Sequence, residues 1–480
     1  MRDALADSRK NIIDYLPLML IFVIFAFALT DVLTIYKIGG INWDFIAEVL
    51  YAKSLLTLKF YSALFGGYLS SAISYGNAFY FEALRPPLIG VLMAPFMALG
   101  DATGIPLYLA FVLLLLLASL FYLSKEIGIS PLLLALLFFT PYVIFFFLML
   151  NGSEIVTMSF LLIFLGLLLK KRWESGILLA VASLAKYDSL IFLLMLALLP
   201  DKTRKRAFAA FIITTLPWLI FNTIAFHNPI YSYLVSAGSF SEDAQGLFSI
   251  HVIAESLKLA LPDLVPAFLI VVALLLIRQT QAKRSRSKTK NDYRHRVVLA
   301  SLAVGLLGWL LTAISGSLND LPREAFLIYF GIALALGLAI TDLSKLPLNL
   351  PFGKDLHAYA VGALFVPTLG MLVCAYTSLY TSYVFGTYGS TNPLWETVAG
   401  TLTSVGLSGC NVVSNNWVYL IYAGVKAHYP YYYNTSIQRY PIVFFTNMGS
   451  NSTPINFKNV TSRMNFTNFY IAFPKNYTCG

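Results

Sequence analysis

Most of this chain alternates long apolar runs with short polar connections, and that alternation decides the solvent it folds in. The run from Ile12 to Tyr36 is long enough to cross a bilayer, since about 20 helical residues span the hydrocarbon core. Further runs lie near 105–123, 130–150, 155–169, 207–226, 264–277, 297–314, 325–341 and 358–385. Each predicts a helix, because backbone in lipid must satisfy its own hydrogen bonds. Only 12% of the 480 residues are charged and 58% are hydrophobic, about half the charge a soluble chain uses to face water. That excludes a soluble enzyme, a disordered chain and a secreted disulfide scaffold. No small-residue cleavage site follows the first run, so it reads as an anchor and not as a removed signal.

The formal net charge of +10 reads as topology once its distribution is considered. Basic residues gather in Lys170-Lys171-Arg172, in Lys202, Arg204, Lys205 and Arg206, and in the connection 278–296. With the N-terminus inside, about 21 of the 33 Lys and Arg fall in short cytoplasmic segments totalling roughly 64 residues. About 11 fall in roughly 214 outer residues. The longest basic run lacks interleaved aromatics on which bases would stack, so no nucleic-acid role is expected. Residues 176–199 carry Lys186, Tyr187 and Asp188 at their middle. As one span they would put their two basic flanks on opposite sides, so they read as a hairpin of two short helices with Lys186 near its outer tip. The expectation is a multi-pass cell-membrane protein, all-α, with about eleven transmembrane helices over 1–385. Its first outer loop is 36–104, its cytoplasmic basic loop is 278–296, and its C-terminus is outside.

From about Gly386 the chain turns polar and rich in Tyr, Asn, Ser and Thr, with enough Tyr, Phe, Val and Ile to fold. A small extracytoplasmic domain, mainly β, is expected over 386–480. Acceptor sequons begin at Asn434, Asn451, Asn459, Asn465 and Asn476, with a sixth at Asn151 in a predicted outer loop. Such sequons are useful only on the outside. Cys410 and Cys479 both fall in this domain, as a disulfide pair or as two thiols, while Cys374 lies in the last span.

The candidate chemistry gathers on the outer face. In the first outer loop, Trp43-Asp44 opens a helical stretch that includes Glu48, and Arg85-Pro86-Pro87-Leu88 leads into an apolar run. Glu154 follows the next outer loop, Lys186 and Asp188 sit at the hairpin tip, and Arg323 precedes the span 325–341. Ionisable groups at membrane depth are costly and tend to be functional. A carboxylate there takes a proton from an acceptor hydroxyl, and cations stabilise charge on a departing phosphate. An apolar wall suits an isoprenoid tail. Together these describe sugar transfer from a lipid phosphate.

The order of these pieces resembles the GT-C membrane glycosyltransferases, especially the branch with protein O-mannosyltransferases and the lipid A aminoarabinose transferase. The residues that carry the likeness are Asp44, Tyr51-Ala52-Lys53-Ser54-Leu55-Leu56, Arg85-Pro86-Pro87-Leu88, Glu154, Leu184-Ala185-Lys186 and His227-Asn228-Pro229-Ile230-Tyr231. It covers roughly 10–235, plus topology over the rest. The resemblance implies Asp44 as catalytic base, Glu154 as the second-loop acidic residue, and Arg85, Lys186 and Arg323 as ligands of the donor phosphate. Glu48 and Asp188 are secondary candidates. It also implies a polyprenyl (dolichyl) phosphate sugar as donor and a protein, lipid or glycan as acceptor. One departure is that Asp44 is followed by Phe45, where the family often has Asp-Glu. No cofactor is required by this reading, and a divalent metal at Asp44 and Glu154 has no positive support in the sequence. Two other readings stay open: an inactive GT-C-like subunit or scaffold that binds a membrane partner through its outer domain, and a lipid flippase or transporter.

Overall fold

The computed structural model describes residues 2–37, 43–56, 86–139, 143, 152–234, 272, 289–315, 326–343, 394–414, 420, 423–428, 440–445, 460–466, 469–475 and 477–479. Twelve helices precede a small mixed sheet among these residues. They are α1 (Arg2–Lys37), α2 (Trp43–Leu56), α3 (Pro87–Met97), α4 (Asp101–Ile127), α5 (Pro131–Phe138), α6 (Ser153–Leu169), α7 (Ser175–Ala185), a 3-10 helix (Tyr187–Leu198), α8 (Asp201–Phe226) and α9 (Thr289–Ser315). Then follow α10 (Phe326–Leu343) and α11 (Leu394–Ser404). Four described segments are long and apolar enough to cross a membrane, namely Pro17–Thr34, Asp101–Ile127, Asp201–Ile224 and Tyr293–Leu311. With the composition, they make this a membrane protein. The runs expected at 264–277 and 358–385 fall outside the described residues but for the single residue 272, and the run at 130–150 is described only over 130–139 and at Val143.

Contacts at the helix ends sort the bundle into two poles. At one, the Arg294 guanidinium donates to the Ile127 carbonyl (3.0 Å) and pairs with Asp342 (2.7 Å). The Tyr293 hydroxyl donates to the Leu168 carbonyl at 3.0 Å and also lies 3.5 Å from that of Leu198. At the other pole, Lys186 meets Glu154 and the ring of Phe326. The ends of α4, α6, the 3-10 helix and α10 therefore share a pole with the start of α9. Glu154, Lys186 and Phe326 share the opposite one.

This geometry demonstrates the reversal inside 175–198. The chain leaves the Leu168 pole along α7, breaks at Lys186 and returns to the same pole at Leu198. The second arm is 3-10 where an α-helix was expected. Its rise of about 2.0 Å per residue carries twelve residues about 24 Å, close to the roughly 25 Å that seventeen residues of α6 cover at 1.5 Å each. The longer rise lets a short arm match its neighbour's height.

Two expected connections prove helical. The basic residues Lys202, Arg204, Lys205 and Arg206 belong to α8, because Asp201 in its first turn pairs with Arg204 and, at 3.4 Å, with Lys205. Spacings of three and four place these partners on one helix face. The expected loop 278–296 ends inside α9 from Thr289, where Arg294 and His295 converge on buried Asp342. α1 likewise begins at Arg2, well ahead of the apolar run.

In the C-terminal part, α11 leads to β1 (Asn411–Ser414), β2 (Lys426–His428), β3 (Ile442–Phe445), β4 (Val460–Asn465) and β5 (Phe469–Pro474). The sheet order is β2-β1-β3-β5-β4. β1 runs parallel to β2 and β3, and β5 runs antiparallel to β3 and β4. Every residue of β5 is buried. Cys410 and Cys479 form a disulfide with Cα atoms 4.4 Å apart, and the Asn411 amide donates to the Cys479 carbonyl (2.9 Å). Together they tie the chain's last residues to the start of β1.

Candidate functional site

The Lys186 pole gathers charge inside an apolar bundle. Glu154 sits in the first turn of α6, where a carboxylate suits the positive end of the helix dipole. It is fully buried and accepts a hydrogen bond from Ser153 Oγ (3.1 Å). Lys186 Nζ lies 3.3 Å from Glu154 Oε1 and 3.5 Å from Asp188 Oδ2, and 5.5 Å from the centre of the Phe326 ring. Two carboxylates thus share one ammonium, and the trio carries a net charge of −1 when all three are ionised. Asp188 holds the longer contact and is the more exposed carboxylate, at 24% against 0%.

The backbone break explains why the lysine reaches inward. Lys186 is extended (φ −154°, ψ 122°) between α7 and the 3-10 helix. Its amide donates to the Ala182 carbonyl (3.0 Å), and its carbonyl accepts from the Ser189 amide (3.2 Å) and hydroxyl (2.9 Å). Both arms are thereby capped at a point where neither helix continues.

α2 approaches this pole through Tyr51. Glu48 is buried on α2 and interacts electrostatically with Tyr108 of α4, whose ring meets that of Phe45 at 6.4 Å. Tyr51, a turn further, lies within the electrostatic surroundings of Tyr187. Its ring occupies the space that a Cβ on Gly90 would need, which is why α3 approaches α2 so closely. At the far end of α2, Lys53 pairs with Asp101 (2.6 Å).

The sequence-derived candidates therefore fall into two groups. Glu154, Lys186 and Asp188 converge, and Glu48 is buried on the neighbouring helix. Asp44 occupies the first turn of α2, one turn ahead of Glu48. Its side chain lies outside the described residues, as do Arg85 and Arg323 altogether. Of the sequons, Asn465 is exposed at the end of β4. Asn151, Asn434, Asn451, Asn459 and Asn476 lie outside the described residues. Among the described residues, no three His, Cys, Asp or Glu side chains gather as metal ligands would.

Sequence reasoning named Tyr187 and the segment 227–231 but passed over Trp218, Asn222, Ser232 and Tyr233, which adjoin them. Trp218 of α8 donates its indole N–H to the Tyr187 hydroxyl (3.0 Å). The Tyr187 ring packs on Tyr233 at 4.4 Å between centroids, and burial pushes the Tyr233 hydroxyl up to about 12. The segment His227-Asn228-Pro229-Ile230-Tyr231 is a helix-ending turn: His227 is left-handed (φ 55°), and Asn228 Oδ1 accepts from the Ile230 amide (3.1 Å). A signal was available, since Trp218 and Asn222 stand four apart near the end of an apolar helix, and polar groups inside such helices seek partners.

No family model matches the chain, and no curated protein matches it. Among solved structures, the arabinofuranosyltransferase AftD from mycobacteria aligns with 81% of this chain and 29% of its own, at 15% identity and a TM-score of 0.39. A mutant form of AftD aligns with 82% of this chain and 30% of its own, also at 15% identity, with a TM-score of 0.41. The chain spans less than a third of the length of either.

Proposed function

We propose that this protein transfers a monosaccharide from a polyprenyl phosphate to an acceptor outside the cell membrane, in the manner of the GT-C glycosyltransferases it resembles in sequence. The observation that carries this reading is the Glu154–Lys186–Asp188 cluster at one pole of an apolar bundle, with Tyr51 of α2 in the electrostatic surroundings of Tyr187. Burying ions costs several kcal/mol each, and that cost is expected where charge does chemistry.

In this reading Asp44 takes the proton of the acceptor hydroxyl, whose oxygen bonds to the sugar's anomeric carbon. The bond from that carbon to the phosphate oxygen breaks, and its electron pair leaves on the polyprenyl phosphate. Lys186, Arg85 and Arg323 stabilise the phosphate charge. Glu154 keeps Lys186 charged and aimed. Asp188, with the longer and more exposed contact, is the carboxylate the phosphate replaces. The lipid tail runs along the apolar helices. The Lys186 pole faces outward, and an acceptor protein, lipid or glycan approaches from there.

A second reading is favoured by Lys186 being already held by two carboxylates, an arrangement that also serves a purely structural role. The chain would then be a non-catalytic membrane subunit whose C-terminal module meets a partner. Transfer from a labelled polyprenyl-phosphate sugar in native membranes separates the two, with wild type and Asp44→Asn compared at matched expression. Transfer lost in Asp44→Asn is expected. Absence of transfer by wild type across several sugars and acceptors would leave the subunit reading.

A further inference from the structure

Lys186 is extended and Tyr187 opens the 3-10 helix, and the two neighbouring side chains leave toward different helices. Lys186 points to α6 and α10, where it meets Glu154 and Phe326. Tyr187 points to α8, where its hydroxyl accepts the Trp218 indole N–H. The apex of the hairpin is thus held from two sides, and each grip fixes the direction of the other.

The α8 grip is itself braced. Trp218 is buried and stacks on Phe221 with ring centres 4.6 Å apart and planes 6° from parallel. Asn222 Nδ2 donates to the Trp218 carbonyl (2.9 Å), and Asn222 Oδ1 accepts from the Ser232 amide (3.2 Å) and hydroxyl (2.5 Å). Ser232 also lies in the electrostatic surroundings of Tyr187. Asn222 and Ser232 are wholly buried. A chain of satisfied buried bonds of this kind is stiffer than its members alone.

We propose that Trp218, Tyr187, Asn222 and Ser232 are positioning residues that set the direction of the Lys186 ammonium, and so the phosphate affinity of the site. This rests on the donor-site reading given above. None of the four touches the reacting atoms. They act through the peptide between Lys186 and Tyr187.

Two measurements on the full-length protein in detergent test the proposal and keep it separate from the donor reading. The first is pulse acetylation of lysines read by mass spectrometry. Lys186 is nearly buried and Lys170 is more exposed, so Lys170 reports general loosening. Trp218→Phe keeps the stacked ring and removes the N–H, and Tyr187→Phe removes the acceptor. Each is expected to speed acetylation of Lys186 about five-fold, the worth of one buried hydrogen bond, without a change at Lys170. The double variant should react no faster than either single, because both remove one bond. Ser232→Ala should give a smaller rise. An unchanged Lys186 rate in Trp218→Phe, or equal rises at Lys186 and Lys170, would overturn the proposal.

The second measurement is binding of polyprenyl phosphate. Trp218→Phe should weaken it about five-fold and have no further effect on a Lys186→Gln background. If Lys186→Gln binds as tightly as wild type, the donor reading fails while the acetylation result still judges the geometry. If Lys186→Gln weakens binding and Trp218→Phe does not, the positioning role fails alone.

Discussion

At the scale of single residues, one buried cation is shared unequally between two acids. Removing Lys186 leaves Glu154 charged and enclosed, so Lys186→Met should cost about 3–5 kcal/mol of stability. Asp188→Asn should cost far less, because Asp188 is partly exposed and screened. It should also tighten polyprenyl-phosphate binding by removing a competing anion. Denaturant titration and a binding isotherm check both, and weaker binding by Asp188→Asn would cancel its role as the displaced group. Thr157 supplies a different case. Its hydroxyl is buried one turn along α6 from Glu154, with no hydrogen-bond partner among the described residues. Replacing such a group by an apolar one of the same shape is neutral or favourable. Thr157→Val should therefore hold or raise the midpoint of thermal unfolding, and a lower midpoint would mean that the hydroxyl has a partner in the protein.

At the scale of elements, close backbone approach decides which helices meet. Gly176, at the foot of the hairpin, faces the Ala207 carbonyl of α8 so closely that a Cβ would have no room. Gly305 of α9 meets Leu327 of α10 in the same way. Small residues at such crossings let helix backbones touch. Gly176→Val should prevent the hairpin from seating on α8, seen as loss of monodisperse protein on gel filtration. Gly400 of α11 has nothing within 4 Å of its would-be Cβ. Gly400→Ala should instead stabilise the helix by about 1 kcal/mol on propensity alone, read from the midpoint of thermal unfolding. Around the small sheet the Cys410–Cys479 bond joins residues 69 apart in the chain. Opening it by Cys410→Ser should cost about 4 kcal/mol in the chain-entropy model. Protease resistance of β1–β5 measures that loss, and unchanged resistance would show that the strands hold without the bond.

At the scale of the whole molecule, the two poles differ in kind. One carries Lys170, Lys171, Arg172 and the Arg294–Asp342 pair, and the other carries the Lys186 cluster. The asymmetry of positive charge predicts that the Lys171 pole lies inside. A single reporter cysteine at Lys171 should react with a membrane-impermeant thiol reagent only after the cells are opened, and one at Asn465 should react in intact cells. The opposite pattern would put the Lys186 cluster on the inner face and remove any outer acceptor from its reach.

Much of this was legible in the chain alone. Runs of apolar residues require a membrane and its helices, because lipid offers the backbone no other hydrogen-bond partner. The basic flanks on both sides of 176–199 implied a reversal, and the reversal is there. Helix boundaries at Asp201 and Thr289 were missed because ion pairs carry those helices beyond their apolar runs. The 3-10 form of the second arm was also invisible, since length has to be matched to a neighbouring helix before it means anything. The convergence of Glu154, Lys186 and Asp188 belongs to both levels. Sequence located each charge at a helix end, but only packing brings α6 and the hairpin apex within one ion-pair distance. The Trp218–Tyr187–Ser232 brace was decided by tertiary structure alone, because its partners come from segments that local pattern cannot relate. Composition and periodicity act over neighbouring residues and choose the solvent and the helices. Direction at a buried charge is set by contacts between residues far apart in the chain.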